Sequence, residues 1–140
     1  MKEIKIWTDG GALDNPGEAG IGVVIDFGDR KNHYKAKIGI ATNNEAEYLA
    51  VIYALKKIKE IFGKKKLKDT KIVLHLDSEL VGNQLLGKYK IKDANLQKLF
   101  IKFWNIKIDY PNLEIKIIPR EENKIADKLV KSILFVKKLF

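Results

Sequence analysis

The chain has 140 residues, 46% apolar and 32% charged, which fits one globular domain and excludes disordered and fibrous classes. Lys and Arg number 27 against 18 Asp and Glu, a net charge of +9 that suits a polyanionic partner, although a lysine-rich solubilising surface accounts for it equally well. There is no cysteine, which removes disulfides, thiolate zinc sites and cysteine nucleophiles together.

Met1-Lys2-Glu3-Ile4-Lys5 has no apolar signal core, and no later run is long enough for a bilayer, so a cytoplasmic protein with no membrane contact is expected. Ile4 to Asp9 alternates like a strand and is expected to stop at Gly10-Gly11, before a turn-rich stretch from Ala12 to Ala19. Ile21 to Ile25 reads as a second strand. A hairpin loop, Gly28 to Asn32, leads to a third from Tyr34 to Ala41, with His33 placed in the hairpin. The first long helix is expected from Asn44 to Phe62, because Tyr48, Val51, Ile52, Leu55, Ile58 and Phe62 follow helical spacing. Gly63 ends it, and Lys64 to Lys68 reads as a basic loop. Ile72 to Asp77 is a nearly continuous apolar run, as in a strand covered on both faces. Helices follow at Glu79–Leu86 and Ala94–Ile106, then a strand at Leu113–Ile118, a loop from Pro119 to Asn123 and a closing helix from Lys124. The order β-β-β-α-β-α-α-β-α predicts an α/β fold in which one five-stranded mixed sheet is flanked by helices.

Four acids sit at unusual places. Asp9 and Asp77 each follow an apolar strand, and the carboxyl ends of strands are where open α/β sheets bind ligands. Glu47 is in helical register with Val51, Ala54 and Ile58, and Asp127 with Val130 and Leu134. Bringing four carboxylates to one sheet edge would cost several kcal/mol unless a cation neutralised them. Oxygen ligands without Cys point to Mg²⁺ or Mn²⁺. Singly, each acid has a plainer role: Asp9 as a turn former, Asp77-Ser78 as a helix cap, Glu47 and Asp127 as rim charges.

At these residues the chain resembles type 1 ribonuclease H, in its compact bacterial and archaeal form. Thr8-Asp9-Gly10-Gly11-Ala12 with Asn15-Pro16-Gly17, Thr42 to Tyr48, Asp77 to Val81 with Asn83-Gln84-Leu85, and Pro119 to Asp127 all match, in order, across nearly the whole chain. The resemblance implies a single domain over residues 1–140, acting as a monomer. Its activity would be hydrolysis of the RNA strand of an RNA–DNA hybrid, leaving 5′-phosphate and 3′-hydroxyl ends. It further implies that Asp9, Glu47, Asp77 and Asp127 hold two ions, Asp9 bridging both, Asp127 serving the ion that activates water and Glu47 and Asp77 the other. Asn15, Asn43 and Asn44 would contact the 2′-hydroxyls that mark RNA, and Thr42 a phosphate of the DNA strand. On residues alone Asn15 is equally a turn residue, and Asn43 or Asn44 a helix cap.

Two departures stand out. Many family members carry a histidine before the last helix, whereas Pro119-Arg120-Glu121-Glu122-Asn123 has none, leaving Arg120 as an auxiliary catalytic candidate. The segment Leu86 to Lys92 is too short for the basic helical insert of some homologues, and Lys88 and Lys90 are substrate-binding candidates in its place. The alternatives are a junction resolvase-like nuclease of the same fold, a non-catalytic hybrid-binding domain and a purely structural α/β domain.

Overall fold

The computed structural model describes residues 1–135; any continuation of the closing helix beyond Phe135 lies outside them. Five strands, β1 (Lys2–Ala12), β2 (Gly17–Asp26), β3 (Lys31–Ala41), β4 (Thr70–Leu76) and β5 (Leu113–Ile117), form one sheet in the order β3-β2-β1-β4-β5. β1–β2 and β2–β3 are antiparallel, and β1–β4 and β4–β5 are parallel. The direction of strand order therefore reverses between β1 and β4. The helices are α1 (Asn43–Phe62), a single turn α2 (Lys64–Leu67), α3 (Glu79–Leu85), α4 (Ala94–Lys107) and α5 (Lys124–Leu134).

Alternation along the strands sorts the layers. Ile4 and Ile6 of β1, Ile21, Val23 and Ile25 of β2 and Ile72, Leu74 and Leu76 of β4 are buried with Tyr48, Val51, Leu55 and Ile58 of α1 in the main core. The other face is approached by α5, because β2 presents Gly20 and Gly22 there. A Cβ on Gly22 would lie 2.4 Å from the Ala126 carbonyl oxygen. α1 is held at both ends: Thr42 and Glu45 form a reciprocal capping box, and Gly63, at a φ of 84°, closes the helix.

Several boundaries differ from the sequence expectation, each for a tertiary reason. β1 does not stop at Gly10-Gly11; both glycines stay in the strand, opposite Ile21 and Gly20 of β2. A Cβ on Gly10 would fall 2.3 Å from the Ala46 carbonyl carbon, so this glycine marks the approach of α1 rather than a turn. The turn shrinks to residues 13–16, and β3 starts at Lys31, which moves His33 from the hairpin into the strand opposite Val24. The basic Lys64–Lys66 stretch is a helical turn, because this winding buries Leu67 completely.

Gly22→Ala should cost about 1–3 kcal/mol through overpacking against α5. Thermal unfolding should show a midpoint lowered by several degrees. An unchanged midpoint would mean that α5 is not positioned by this contact.

Candidate active site

The parallel pairing of β1 and β4 ends at Thr8 opposite Leu76. Asp9 and Asp77 are thus the first residues beyond the last pair on each strand, at the mouth of the reversal point. Asp9 is not strand-terminal, since β1 continues along β2, but its position relative to β4 is the expected one. Glu47 enters from α1 because Gly10 admits the helix; the Gly10 N–H donates to Glu47 Oε1 at 3.0 Å. Oxygens of Asp9, Glu47 and Asp77 all lie within 4.8 Å of one another. Asp9 and Glu47 are buried and Asp77 is half-buried.

Asp127 does not join this trio, although it lines the same cleft of about 600 Å³. Its Oδ2 instead meets Lys131 Nζ at 2.9 Å, one turn along α5. The plainer role for Asp9 falls away, because Asp9 lies inside a strand. The Asp77-Ser78 cap of α3 is present, but Ser78 Oγ supplies it, accepting from the Val81 N–H at 3.1 Å, which leaves the Asp77 carboxylate to the cleft.

Burial is the main cause that pushes Asp9 up from 3.8 to about 6, with the charges of Asp77 and Asp127 adding to it and hydrogen bonds to Glu47 and Gly10 opposing it. Glu47 is raised well above its ordinary value, first by burial and then by the Asp9 charge. The two behave as a pair that retains a proton at pH values where isolated carboxyls have lost it. A divalent cation fits the donor set. Every donor is a carboxylate oxygen, and the buried Glu47 Oε2 has no hydrogen-bond partner among the described residues.

Around the acids, the Asn43 N–H donates to Asn15 Oδ1 at 2.9 Å, and Asn43 Oδ1 accepts from the Ala12 N–H at 2.8 Å. These bonds lace the 13–16 turn to the start of α1. The cap of α1 is Thr42, not Asn43 or Asn44. Asn43, Asn44 and Arg120 line the acid cleft; Lys88 and Lys90 do not. Those lysines line a second groove with Tyr89, Lys92 and Gln84, and Asn44 belongs to both walls. The lysine segment is tied to the body of the protein. Gly87 turns the chain at a φ of 76°, the Lys88 and Tyr89 N–H groups donate to the Asn83 carbonyl, and buried Tyr48 donates to Gln84 Oε1 at 2.7 Å.

Sequence reasoning gave no role to Asn123, which is 1% exposed. Its Nδ2 donates to Asp77 Oδ2 and to the Thr8 carbonyl, both at 2.9 Å, fixing Asp77 against the end of β1. No periodicity distinguishes such an asparagine from a loop residue. Of the histidines, His75 stacks on Trp7 at 4.6 Å and His33 lies in β3; neither lines the acid cleft.

A family model described as reverse transcriptase-like matches residues 7–133. A bifunctional protein of Mycobacterium tuberculosis is 34% identical over 130 residues, 91% of this chain but 34% of the relative. This chain thus spans about a third of the length of the mycobacterial relatives it matches. Ribonuclease H1 of Halobacterium salinarum superposes with a TM-score of 0.86 at 31% identity, covering 96% of this chain and 99% of that one. The compost-derived LC11 ribonuclease H1, solved in complex with an RNA/DNA hybrid, gives 0.87 at 44% identity, covering 94% and 96%.

Removing a carboxylate should stabilise the metal-free protein. Because Asp9 titrates at about 6 when folded and near 3.8 when unfolded, the folded state holds more protons between these values and loses stability as pH rises through them. In chelator, the stability advantage of Asp9→Asn over wild type should grow across this window, to an order of 2 kcal/mol. Urea titrations at pH 4, 5, 6 and 7 measure it, and an advantage that shrank with rising pH would refute the repulsion argument.

Proposed function

The chain belongs to the type 1 ribonuclease H family, and on that premise we propose that it is an endonuclease cutting the RNA strand of RNA–DNA hybrids. The observation that carries this reading is the Asp9–Glu47–Asp77 cluster at the sheet's reversal point, in a chain 44% identical to a ribonuclease H1 crystallised on a hybrid. Asp9, Glu47, Asp77 and Asp127 would hold two divalent cations, Mg²⁺ or Mn²⁺. When bound, these ions supply activation of the attacking water and charge stabilisation at the scissile phosphate.

The protein's own groups do the rest. The Gly10 N–H and Asn123 amide hold Glu47 and Asp77 in place, so the ligand set is organised before substrate arrives. Asn43 and Asn44, which line the cleft, and Asn15, held to Asn43, serve as readers of the 2′-hydroxyls, and Thr42, at the start of α1, contributes to a pocket for a DNA-strand phosphate. Lys88 and Lys90, joined to the cleft through Asn44, take the backbone further along the duplex. Arg120 stays charged near neutral pH, so it serves by balancing phosphate charge and not by carrying protons. Products carry 5′-phosphate and 3′-hydroxyl ends.

Incubation with hybrid, duplex DNA, duplex RNA and a four-way junction, with Mg²⁺ or Mn²⁺, tests the reading directly. Cleavage confined to the RNA of the hybrid is expected, and it should vanish in Asp9→Asn and Asp77→Asn. Junction cleavage, or full activity in either variant, would overturn it. In the same assay Arg120→Ala should lower turnover more than hybrid affinity; equal turnover would leave Arg120 an ordinary surface residue.

Hybrid affinity should fall steeply with salt, each phosphate contact adding roughly 0.9 to the log–log slope. Replacing Lys88, Lys90 and Lys92 together by Gln should flatten that slope. An unchanged slope would exclude this groove from the hybrid path.

A further inference from the structure

The four candidate acids all line the cleft, with Glu79 beside them, yet only three are drawn together. The fourth, Asp127, is close enough for its charge to raise Asp9, and it sits on a helix whose distance from the sheet is fixed by Gly22 against Ala126. Its carboxylate has another partner, Lys131. It lies one turn further along α5, lines the same cleft, and holds Asp127 Oδ2 at 2.9 Å.

We infer that Lys131 is an internal counter-ion for Asp127 that competes with divalent cations for this carboxylate. This rests on the metal-binding reading of the acids given above. With Lys131 engaged, Asp127 is neutralised locally and the trio stands alone. Asp127 can serve a cation only by giving up the lysine. The released ammonium then remains at the cleft wall, where its charge is unfavourable to a cation and favourable to a phosphate.

The pair is solvent-facing, with side chains 31% and 63% exposed, so its hold on Asp127 is modest. It acts as a position-specific brake on metal affinity and not as a lock. Charge alone does not single out Lys131, because Lys128 lies on the same helix and is also exposed, but does not line the cleft. That contrast provides the control.

The test uses the intact protein without nucleic acid, titrated with Mn²⁺ by calorimetry and by metal-induced shift of the unfolding midpoint. Wild type should bind and Asp9→Asn should bind far more weakly; failure of that arm removes the metal reading itself, and this inference with it. Given binding, Lys131→Met should tighten the Mn²⁺ midpoint by about two- to fivefold, the range an exposed ion pair is worth. Lys128→Met should leave it nearly unchanged. In an Asp127→Asn background, Lys131→Met should tighten binding much less than in wild type, because the carboxylate it restrains is gone and only its charge at the cleft wall is removed. Equal tightening by both lysine variants, persistence of the full effect without Asp127, or weaker binding in Lys131→Met would each overturn the inference while leaving the metal site standing.

Discussion

The mouth of the β1–β4 seam is organised around one electrostatic liability, carboxylates packed together where little water can reach them. Oxygens of Asp9, Glu47 and Asp77 within 4.8 Å of one another repel, and burial removes the screening that would make this tolerable. Such an arrangement persists only if the surrounding structure enforces it. Parallel register places Asp9 and Asp77 side by side, the close approach at Gly10 brings in Glu47, and Asn123 holds Asp77 through one bond while gripping β1 through another. The rigidity of a packed core is what allows a stable fold to carry a locally unstable site.

Charge is segregated around this liability. The protein is strongly basic overall, yet the trio itself receives no lysine or arginine hydrogen bond among the described residues. Cationic side chains appear one step outward, as Arg120 and Lys131 on the cleft wall and as Lys88, Lys90 and Lys92 in the adjoining groove. Under the proposed function this order has a simple rationale. Lysines attract a polyanion at long range, while a lysine paired within the trio would neutralise the acids and displace the ions that do the chemistry.

The helices depend on sites where a side chain is missing. Gly22 admits α5 and Gly10 admits α1, so both helices reach the sheet at backbone distance beside the acids they carry. Glu47 and Asp127 come from opposite faces of the sheet and meet at one cleft because these two approaches lie next to each other on neighbouring strands. A glycine at a close approach and a glycine at a turn are identical in sequence. For this reason β1 reads as ending at Gly10-Gly11 when it runs on to Ala12.

The sequence by itself determined the element order and the mixed sheet, and it singled out four acids as candidates. Alternating and helical hydrophobic periods are local, and a charge at an apolar strand end stands out without knowledge of its neighbours. The capping box at Thr42 and Glu45 is local too, its partners three residues apart, although the sequence alone offers Asn43 or Asn44 as the cap. Tertiary structure alone decided which acids meet. Asp77 and Asn123 are 46 residues apart in the chain and Gly10 and Glu47 are 37 apart, so no local pattern encodes either bond. It also decided that Asp127, placed by helical register as Glu47 is, turns to Lys131 instead. An (i, i+4) ion pair is visible in any helical sequence, but whether the carboxylate prefers that lysine to a cluster of acids depends on distances across the sheet that only folding creates.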